Sequence, residues 1–332
     1  MDYILGIDQG STQTRAAVCD RYGNIMSYGQ ASGACHSVHG MDKAMQAVRL
    51  AADAATAQAG IQPEEIRAIY GGFTGADWPD EYALLEQNLR LLGIAGAVFV
   101  VNDCMVALRG GTDAGYGAIV IAGTGANCAI RSPRGEEFVY HYYHGPDLQG
   151  GVALGRRALN TIYRAATGRI PATRLAPAVL ELFGMGDVDE LLRADVEHRL
   201  EADRIKEIAP CLMRLAYEGD RAACEIIRSF GEGLAELVAA GLKRFAMESD
   251  EVEVVTSGNI FKGPGHLLQE VMLANIHMSA PKARLVNARY EPVVGAVLSG
   301  LEKIGVEIDA GIKANIERSS QRLRLVRVGE QG

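Results

Sequence analysis

The chain opens with a strand–turn–strand pattern of apolar and polar positions. An apolar run at residues 3–7 leads into a polar segment at residues 8–14, and residues 15–19 lead out of it. Short apolar runs on either side of a glycine-containing segment predict two strands joined by a tight turn. Gly10 permits backbone geometry that a side chain forbids, and the turn carries the hydroxyl groups of Ser11, Thr12 and Thr14. Hydroxyls and backbone N–H groups at such a turn can bind an anion.

Asp8 stands at the end of the first predicted strand, beside this turn. Mg²⁺ keeps much of its water shell and binds proteins through one or two carboxylates, so Asp8 is placed to hold Mg²⁺ through water. An ordinary β-hairpin with a polar turn explains the same residues. Taken alone, the segment leaves both interpretations open.

The same pattern recurs at residues 116–131, where Thr124 and Gly125 occupy the turn between two apolar segments. Two similar hairpins, each opening one half of the chain, predict two related domains that bind one ligand between them. Thr12 and Thr124 would then face each other across a cleft.

The predicted division places an N-terminal domain at residues 1–113 and a C-terminal domain at residues 114–332, joined near residues 112–115. The second domain carries a helical insertion at about residues 168–248, where we find no chemistry and where a homodimer surface could form. The polar tail after about residue 315 is expected to fray or to form a small appendage.

A polar pair, Asn102 and Asp103, follows the short apolar run at residues 98–101 and precedes a helical segment. Ligands of open α/β sheets bind at the carboxyl ends of the strands, so the pair is a candidate for binding or catalysis. For an isolated Asn-Asp pair, a helix cap is the favoured explanation.

Composition narrows the function classes. The chain has 332 residues, 48% of them hydrophobic, and a net charge of −8, which gives a nucleic-acid role no electrostatic support. Its six cysteines include no C-x-x-C pair, so a zinc or disulfide framework is not expected. We find no signal peptide and no apolar run long enough to span a bilayer, and expect a cytoplasmic protein without a membrane partner.

Five motifs in order resemble the BadF/BadG/BcrA/BcrD-type ATPase family, which includes N-acetylglucosamine and glucosamine kinases and lies in the actin, hexokinase and heat-shock ATPase superfamily. They are residues 6–14, 102–103, 121–125, 257–261 and 291–296. The resemblance implies an α/β fold of two duplicated ribonuclease H-like domains, with mixed sheets flanked by helices and an interdomain cleft. It also implies an ATP-dependent kinase that uses Mg²⁺ and phosphorylates a sugar or amino sugar.

The resemblance further implies roles for single residues. The phosphates and the metal would meet Asp8, Gly10, Ser11, Thr12 and Thr14 from the first domain and Thr124 and Gly125 from the second. The adenosine would lie against Gly258 and Asn259. Asp103 would accept the proton of the sugar hydroxyl, and the sugar would be contacted by His36, Asn102, Asp103 and Asp147.

The substrate side departs from the family kinases. They carry Gly-Gly-Trp-Gly and then Gly-Asp-Glu-Gly-Ser, whereas this chain has an aromatic segment at residues 139–144 and a Pro-Asp-Leu-Gln-Gly sequence around Asp147. Cys35 also stands where an N-acetylglucosamine kinase would have a polar Asn. We therefore predict that N-acetylglucosamine is a poor substrate. The aromatic side chains would form a wall for a stacked sugar ring, or a strand that points alternately into core and solvent.

Two other functions stay open. Activator ATPases of the same family drive electrons into a dehydratase and hold an iron–sulfur cluster between two subunits, but Cys128 and Cys211 have no matching neighbours in the sequence. The third possibility is a catalytically silent sugar-binding regulator.

Overall fold

Two five-stranded sheets frame the structure, a computed structural model that describes residues 2–94 and 96–327. The first sheet has the strand order β3-β2-β1-β4-β5. Its strands are β1 (Tyr3–Gln9), β2 (Gln13–Asp20), β3 (Ile25–Ser32), β4 (Ile66–Phe73) and β5 (Ala97–Asn102). Strand β1 pairs antiparallel with β2 and parallel with β4, so the sheet is mixed.

The second sheet repeats this order as β8-β7-β6-β9-β10. Its strands are β6 (Gly117–Ala122), β7 (Ala126–Arg131), β8 (Glu137–Val139), β9 (Glu253–Ser257) and β10 (Arg284–Asn287). In each sheet the first two strands of the hairpin occupy equivalent positions. The predicted fold class of duplicated mixed sheets flanked by helices is therefore confirmed.

Helices surround both sheets. Those before the second hairpin are α1 (His36–His39), α2 (Met41–Ala59), α3 (Pro79–Leu91) and α4 (Asp103–Gly111). Those that follow it are α5 (Gly150–Ala166), α6 (Leu175–Phe183), α7 (Val188–Val196), α8 (Ala202–Ile205), α9 (Ile208–Tyr217), α10 (Arg221–Arg244), α11 (Leu267–His277), α12 (Pro292–Lys303) and α13 (Ala310–Arg322). Among the described residues, no helix is long and apolar enough to cross a membrane.

The chain divides into two compact units that are discontinuous in sequence. One unit contains everything up to Gly117, the segment Pro133–Val139 and everything from Val286 onwards, and the other contains Ala118–Ser132 and Tyr140–Leu285. The contact units thus differ from the sequence boundaries because the C-terminal segment packs with the N-terminal unit. The domains at 1–113 and 114–332 and the cleft between them stay predictions.

Strand β1 is buried on both faces, which explains its continuous apolar sequence. Leu5 and Ile7 belong to a core under α2, while Ile4 belongs to a core with Val293 and Val297 of α12. The first sheet is therefore completed by residues nearly 300 positions away in the sequence.

Glycines let α12 approach its neighbours. A Cβ at Gly295 would lie 1.9 Å from the carbonyl oxygen of Val106 and 2.5 Å from the amide nitrogen of Gly110 in α4. A Cβ at Gly6 of β1 would lie 2.8 Å from the backbone nitrogen of Val297. Since these neighbours are backbone atoms, a side chain at Gly295 forces the two helices apart.

We expect Gly295→Ala to destabilise the protein by about 3 kcal/mol, the upper part of the usual range for overpacking. The measurement is the free energy of unfolding in urea. Gly311→Ala in α13 is the matched control, because the nearest atom to its new Cβ is a carboxylate oxygen of Asp309 at 3.3 Å. Equal stability of the two variants would contradict this account of the α12–α4 contact.

Up to residue 327 the C-terminal segment packs on the first unit, so the expectation of fraying is wrong for the described residues and the alternative of a small appendage fits them. Residues 328–332 lie outside the described residues. Ile316 of α13 and Leu325 beyond it are 1% and 2% exposed. The hydroxyl of Ser319 accepts a hydrogen bond from the backbone N–H of Ile25, and Val326 forms a β-bridge with Tyr290. A few buried side chains in a polar helix suffice to attach the tail to the first unit.

Candidate functional site

The tip of the first hairpin presents its backbone and two hydroxyl side chains to solvent. The N–H of Gly10 donates to the carbonyl of Gln13 at 2.9 Å and closes the turn. Ser11 and Thr12 at the tip are exposed. Gly33 packs directly against the backbone of Ser11 and Thr12, and a Cβ at Gly33 would lie 2.4 Å from backbone atoms of both residues. Gly33, which directly follows β3, was not among the residues singled out from the sequence.

Thr14 lies away from this tip. Its side chain is fully buried, and its hydroxyl donates to the carbonyl of Ser32 on β3 at 3.0 Å. The structure thus brings Gly10, Ser11 and Thr12 to one exposed turn and uses Thr14 to join two strands.

Asp8 lies at the carboxyl end of β1, where it pairs with Gly72 of β4. A Cβ at Gly72 would lie 2.2 Å from a methyl group of Val106 and 3.2 Å from the Cα of Asp103. Because the residue between the two acidic positions has no side chain, Asp8 and Asp103 interact electrostatically at the same edge of the sheet. Gly72 is a second residue that sequence reasoning missed.

Burial raises the pKa of the Asp8 carboxyl to about 7. The positive charge of Arg15 opposes this shift, whereas the negative charges of Asp103 and Glu291 add to it. A hard divalent cation prefers carboxylate oxygens, and a cation bound at Asp8 would offset the negative charges of Asp103 and Glu291.

The metal site is incomplete on protein groups alone. Within residues 2–94 and 96–327, no group of three or more His, Cys, Asp or Glu side chains could hold a metal ion. Mg²⁺ commonly takes one or two carboxylates together with substrate phosphates and water. Asp8 beside an exposed turn therefore fits Mg²⁺ that binds with a nucleotide.

Asn102 and Asp103 have different structural positions: Asn102 caps helix α4, and Asp103 lies in its first turn. The side-chain oxygen of Asn102 accepts the N–H of Cys104 at 3.0 Å and caps α4. Its amide nitrogen donates to the carbonyl of Ala76 at 3.0 Å and to the carboxylate of Asp77 at 3.1 Å. The cap thus needs only Asn102, while Asp103 occupies the first turn of the helix at the strand edge.

His36 is a buried imidazole in the short helix α1. Its side chain is 6% exposed, and its Nε2 lies 3.6 Å from a carboxylate oxygen of Glu81. Neither ring nitrogen has a hydrogen-bond partner among the residues that the structure describes. Buried polar groups are normally paired, so His36 has the hydrogen-bonding capacity that a ligand would use. The other oxygen of Glu81 accepts the N–H groups of Asp77 and Trp78.

The second hairpin presents a similar exposed turn. The N–H of Gly123 donates to the carbonyl of Gly125 at 2.8 Å, and the first turn of α5 donates from Gly151 to Gly123 at 2.8 Å and from Val152 to Thr124 at 3.3 Å. Thr124 and Gly125 remain exposed. The start of α5 therefore fixes the backbone of this turn.

The backbone conformation and packing at position 258 require glycine. Its φ is +105°, and a Cβ there would lie 2.2 Å from the carbonyl oxygen of Ala122 at the end of β6. The contact with β6 therefore requires glycine at this position, independently of any ligand. Asn259 follows in an exposed position, and both residues lie beside the second turn in their own unit.

Comparisons with known proteins decide the family. The sequence model of the BadF/BadG/BcrA/BcrD ATPase family matches residues 5–300. The chain belongs to this family. An N-acetylmuramic acid/N-acetylglucosamine kinase from Clostridium acetobutylicum is 25% identical over 238 residues, which are 71% of this chain and 77% of that protein. A glucosamine kinase from Vibrio cholerae is 28% identical over 233 residues, which are 69% of this chain and 76% of that protein.

Solved structures show the same fold. A protein from Chromobacterium violaceum, provisionally assigned as an N-acetylglucosamine kinase, has a TM-score of 0.65 at 24% identity and covers 89% of this chain and 98% of its own. A ROK family glucokinase from Streptomyces griseus, solved with glucose and AMPPNP, has a TM-score of 0.52 at 19% identity, with 91% and 98% covered.

In this BadF/BadG/BcrA/BcrD ATPase, the aromatic segment is partly core and partly exposed. Tyr140 is buried, and its hydroxyl donates to the carbonyl of Leu237 at 2.7 Å. Residues His141–His144 form a short 3₁₀ helix instead of a strand, and Tyr142 and Tyr143 are 69% and 75% exposed. The alternating-strand interpretation is therefore wrong, and an aromatic wall would consist of Tyr142 and Tyr143 alone.

Asp147 lies in the next 3₁₀ turn of this family member and is exposed. Its carbonyl accepts a hydrogen bond from the guanidinium of Arg157 in α5 at 3.0 Å. Arg157 also donates to the hydroxyl of Ser229 at 3.1 Å, which ties the Asp147 turn to α10. The carboxylate of Asp147 is therefore at the surface, on a turn that is fixed by contacts with α5 and α10.

Proposed function

We propose that this chain is an ATP-dependent kinase that transfers the γ-phosphoryl group of ATP to a hydroxyl of a sugar or amino sugar. The observation that carries the proposal is the pair of carboxyl groups, Asp8 and Asp103, at one sheet edge beside the exposed turn at Gly10. Membership of an ATPase family and the sugar-kinase names of the two relatives support it.

Asp103 is the proposed general base. Phosphoryl transfer depends mainly on positioning and charge stabilisation. A single carboxylate beside the attacking hydroxyl is therefore sufficient, because it can accept the proton and orient the hydroxyl. The side chain of Asn102 caps the start of α4 and thereby fixes the backbone position of Asp103, the first residue of that helix. His36 would use its unpartnered ring nitrogens to orient the sugar.

Each of the two exposed turns, taken within its own unit, offers contacts for a nucleotide. In the first unit the phosphates would lie against Gly10, whose N–H closes the turn, and the exposed hydroxyls of Ser11 and Thr12 offer donors to phosphate oxygens. Asp8 is the proposed ligand of Mg²⁺. Bound Mg²⁺ supplies charge neutralisation for the phosphates. Thr124 and Gly125 would contact phosphate, and Gly258 and Asn259 the adenosine. Thr14 supports the hairpin through Ser32 in this proposal.

N-acetylglucosamine should be a poor acceptor compared with the best sugar of a panel of amino sugars and hexoses. The family kinases have paired glycines where this chain has Val139 and Tyr140, and neither residue lets the backbone approach a sugar ring as glycine does. The measurement is kcat/KM for each sugar in a coupled ADP-release assay. An N-acetylglucosamine value above those of all other acceptors would contradict this part of the proposal.

The same assay tests the proposed activity itself. ADP release that depends on an added sugar supports a kinase, whereas ATP hydrolysis that no sugar accelerates contradicts it. Iron in the purified protein would favour the activator ATPase. The structure gives that alternative little support, because Cys128 is fully buried and burial raises the pKa of its thiol far above the usual range. The cytoplasmic location and the homodimer stay predictions.

A further inference from the structure

Four charged side chains form a continuous chain that ends at Asp8. A guanidinium nitrogen of Arg15 lies 3.6 Å from a carboxylate oxygen of Asp8 and 3.0 Å from a carboxylate oxygen of Glu291. Arg327 contacts both oxygens of Glu291, at 3.2 and 3.3 Å. We call these four residues, Asp8, Arg15, Glu291 and Arg327, the charge chain.

The charge chain is largely removed from solvent. The side chains of Arg15, Asp8 and Glu291 are 23%, 11% and 23% exposed, and that of Arg327 is 24% exposed. Solvent-exposed ion pairs contribute little to stability. Partly buried pairs such as these are screened less by salt, so the attraction between the partners is stronger. Arg15 lies between two carboxylates, so its place depends on both.

Backbone contacts fix the far end of the charge chain. Glu291 is the residue before α12, and its N–H donates to the carbonyl of Leu325 at 2.8 Å. The N–H of Arg327 donates to the carbonyl of Arg289 at 2.9 Å. The ends of the chain, from β1 and from the last described residues, are thus connected at the candidate metal ligand.

We propose that Arg15, Glu291 and Arg327 are positioning residues for the carboxylate of Asp8. This inference rests on the proposed function, in which Asp8 holds the nucleotide-bound Mg²⁺. Arg15 contacts one oxygen of Asp8 and restricts the rotation of the carboxylate, Glu291 holds Arg15 in reach, and Arg327 holds Glu291. Groups that orient metal ligands through hydrogen bonds or charge commonly change metal affinity by about 10–100-fold when removed.

Arg15→Gln separates positioning from simple charge. Loss of a positive charge near a metal site should by itself raise the affinity for a cation, whereas loss of positioning should lower it. We expect the affinity of Mn²⁺, measured by calorimetry in the presence of a non-hydrolysable ATP analogue, to fall about 10-fold. In the Mg²⁺-dependent reaction, kcat should fall while the KM for the sugar stays unchanged, and Arg15→Lys should recover part of both losses.

Glu291→Gln should also lower the Mn²⁺ affinity, since it releases Arg15 from its second partner. Arg67→Gln is the matched control, because Arg67 pairs with Asp2 at 2.8 Å at the opposite end of the same sheet. It should leave Mn²⁺ affinity unchanged.

Three results would overturn the inference. They are a rise of Mn²⁺ affinity in Arg15→Gln, an unchanged affinity accompanied only by a lower melting temperature, and an equal loss in Arg67→Gln. If the wild-type protein binds no Mn²⁺ with the nucleotide, the proposed function fails first and the inference with it. Binding by the wild type without an effect of Arg15→Gln contradicts the inference alone.

Discussion

Asp103→Asn should lower turnover by about 10²–10⁴-fold, the usual contribution of a positioned general base. The amide has the shape of the carboxylate but accepts no proton from the sugar hydroxyl. Since Asn102 makes the α4 cap, the substitution should leave the fold intact. ATP affinity should barely change, because the proposed partner of Asp103 is the acceptor sugar. The measurements are kcat with a saturating sugar and the dissociation constant of ATP.

Asp42→Asn is the matched control for this experiment. Asp42 also stands in the first turn of a helix, α2, so it shares the favourable interaction of an acidic residue with a helix N-terminus. If turnover stays close to wild type in Asp42→Asn but falls in Asp103→Asn, the loss in Asp103→Asn is due to proton transfer and not to the charge at the helix N-terminus. Turnover close to wild type in both variants would reduce Asp103 to a structural residue of α4.

Asp8→Asn should abolish the Mg²⁺-dependent reaction. The variant keeps the size of the side chain but loses the negative charge that would hold the cation, and the turn at residues 10–12 offers no other acidic group. The measurement is kcat over a titration of Mg²⁺. An undiminished rate and Mg²⁺ dependence would move the metal site elsewhere, with Asp147 as the next candidate.

Stability provides an independent check on Asp8→Asn. Burial raises the pKa of Asp8 from 3.8 to about 7, so the folded state favours the protonated carboxyl. The stability contributed by this preference is fully present at low pH and is lost as the pH rises through the folded-state pKa, between about pH 4 and 7. Without metal, the wild type should therefore lose stability relative to Asp8→Asn over this interval. Parallel stability curves would contradict the burial of a titrating carboxyl at this position.

The duplicated fold could be predicted from the sequence because its signals are local. Each hairpin combines two apolar runs with a glycine turn, and the strands β1, β2, β6 and β7 lie where the two hairpins were predicted, within residues 3–20 and 116–131. The position of Asp103 after a short apolar run was also a local signal. These elements require no knowledge of which distant segments meet.

The parts that sequence reasoning missed depend on distant contacts. Gly33 and Gly72 matter because of what packs against their Cα atoms, and Arg15 meets Glu291 only after α12 packs on the first sheet. Tyr140 looked like part of an exposed aromatic wall, yet its hydroxyl pairs with a carbonyl about a hundred residues away in α10. Composition and spacing do not encode such pairings.

Transfer of a phosphoryl group from ATP to a sugar can be observed directly. The measurement follows label on the γ-phosphate of ATP during incubation with Mg²⁺ and a panel of amino sugars, N-acetyl sugars, hexoses and anhydro sugars. We expect label to appear in the phosphate ester of one sugar in preference to its epimers, and we expect Asp103→Asn to suppress this product. Label found only in inorganic phosphate, at a rate that no sugar changes, would contradict the proposed kinase function.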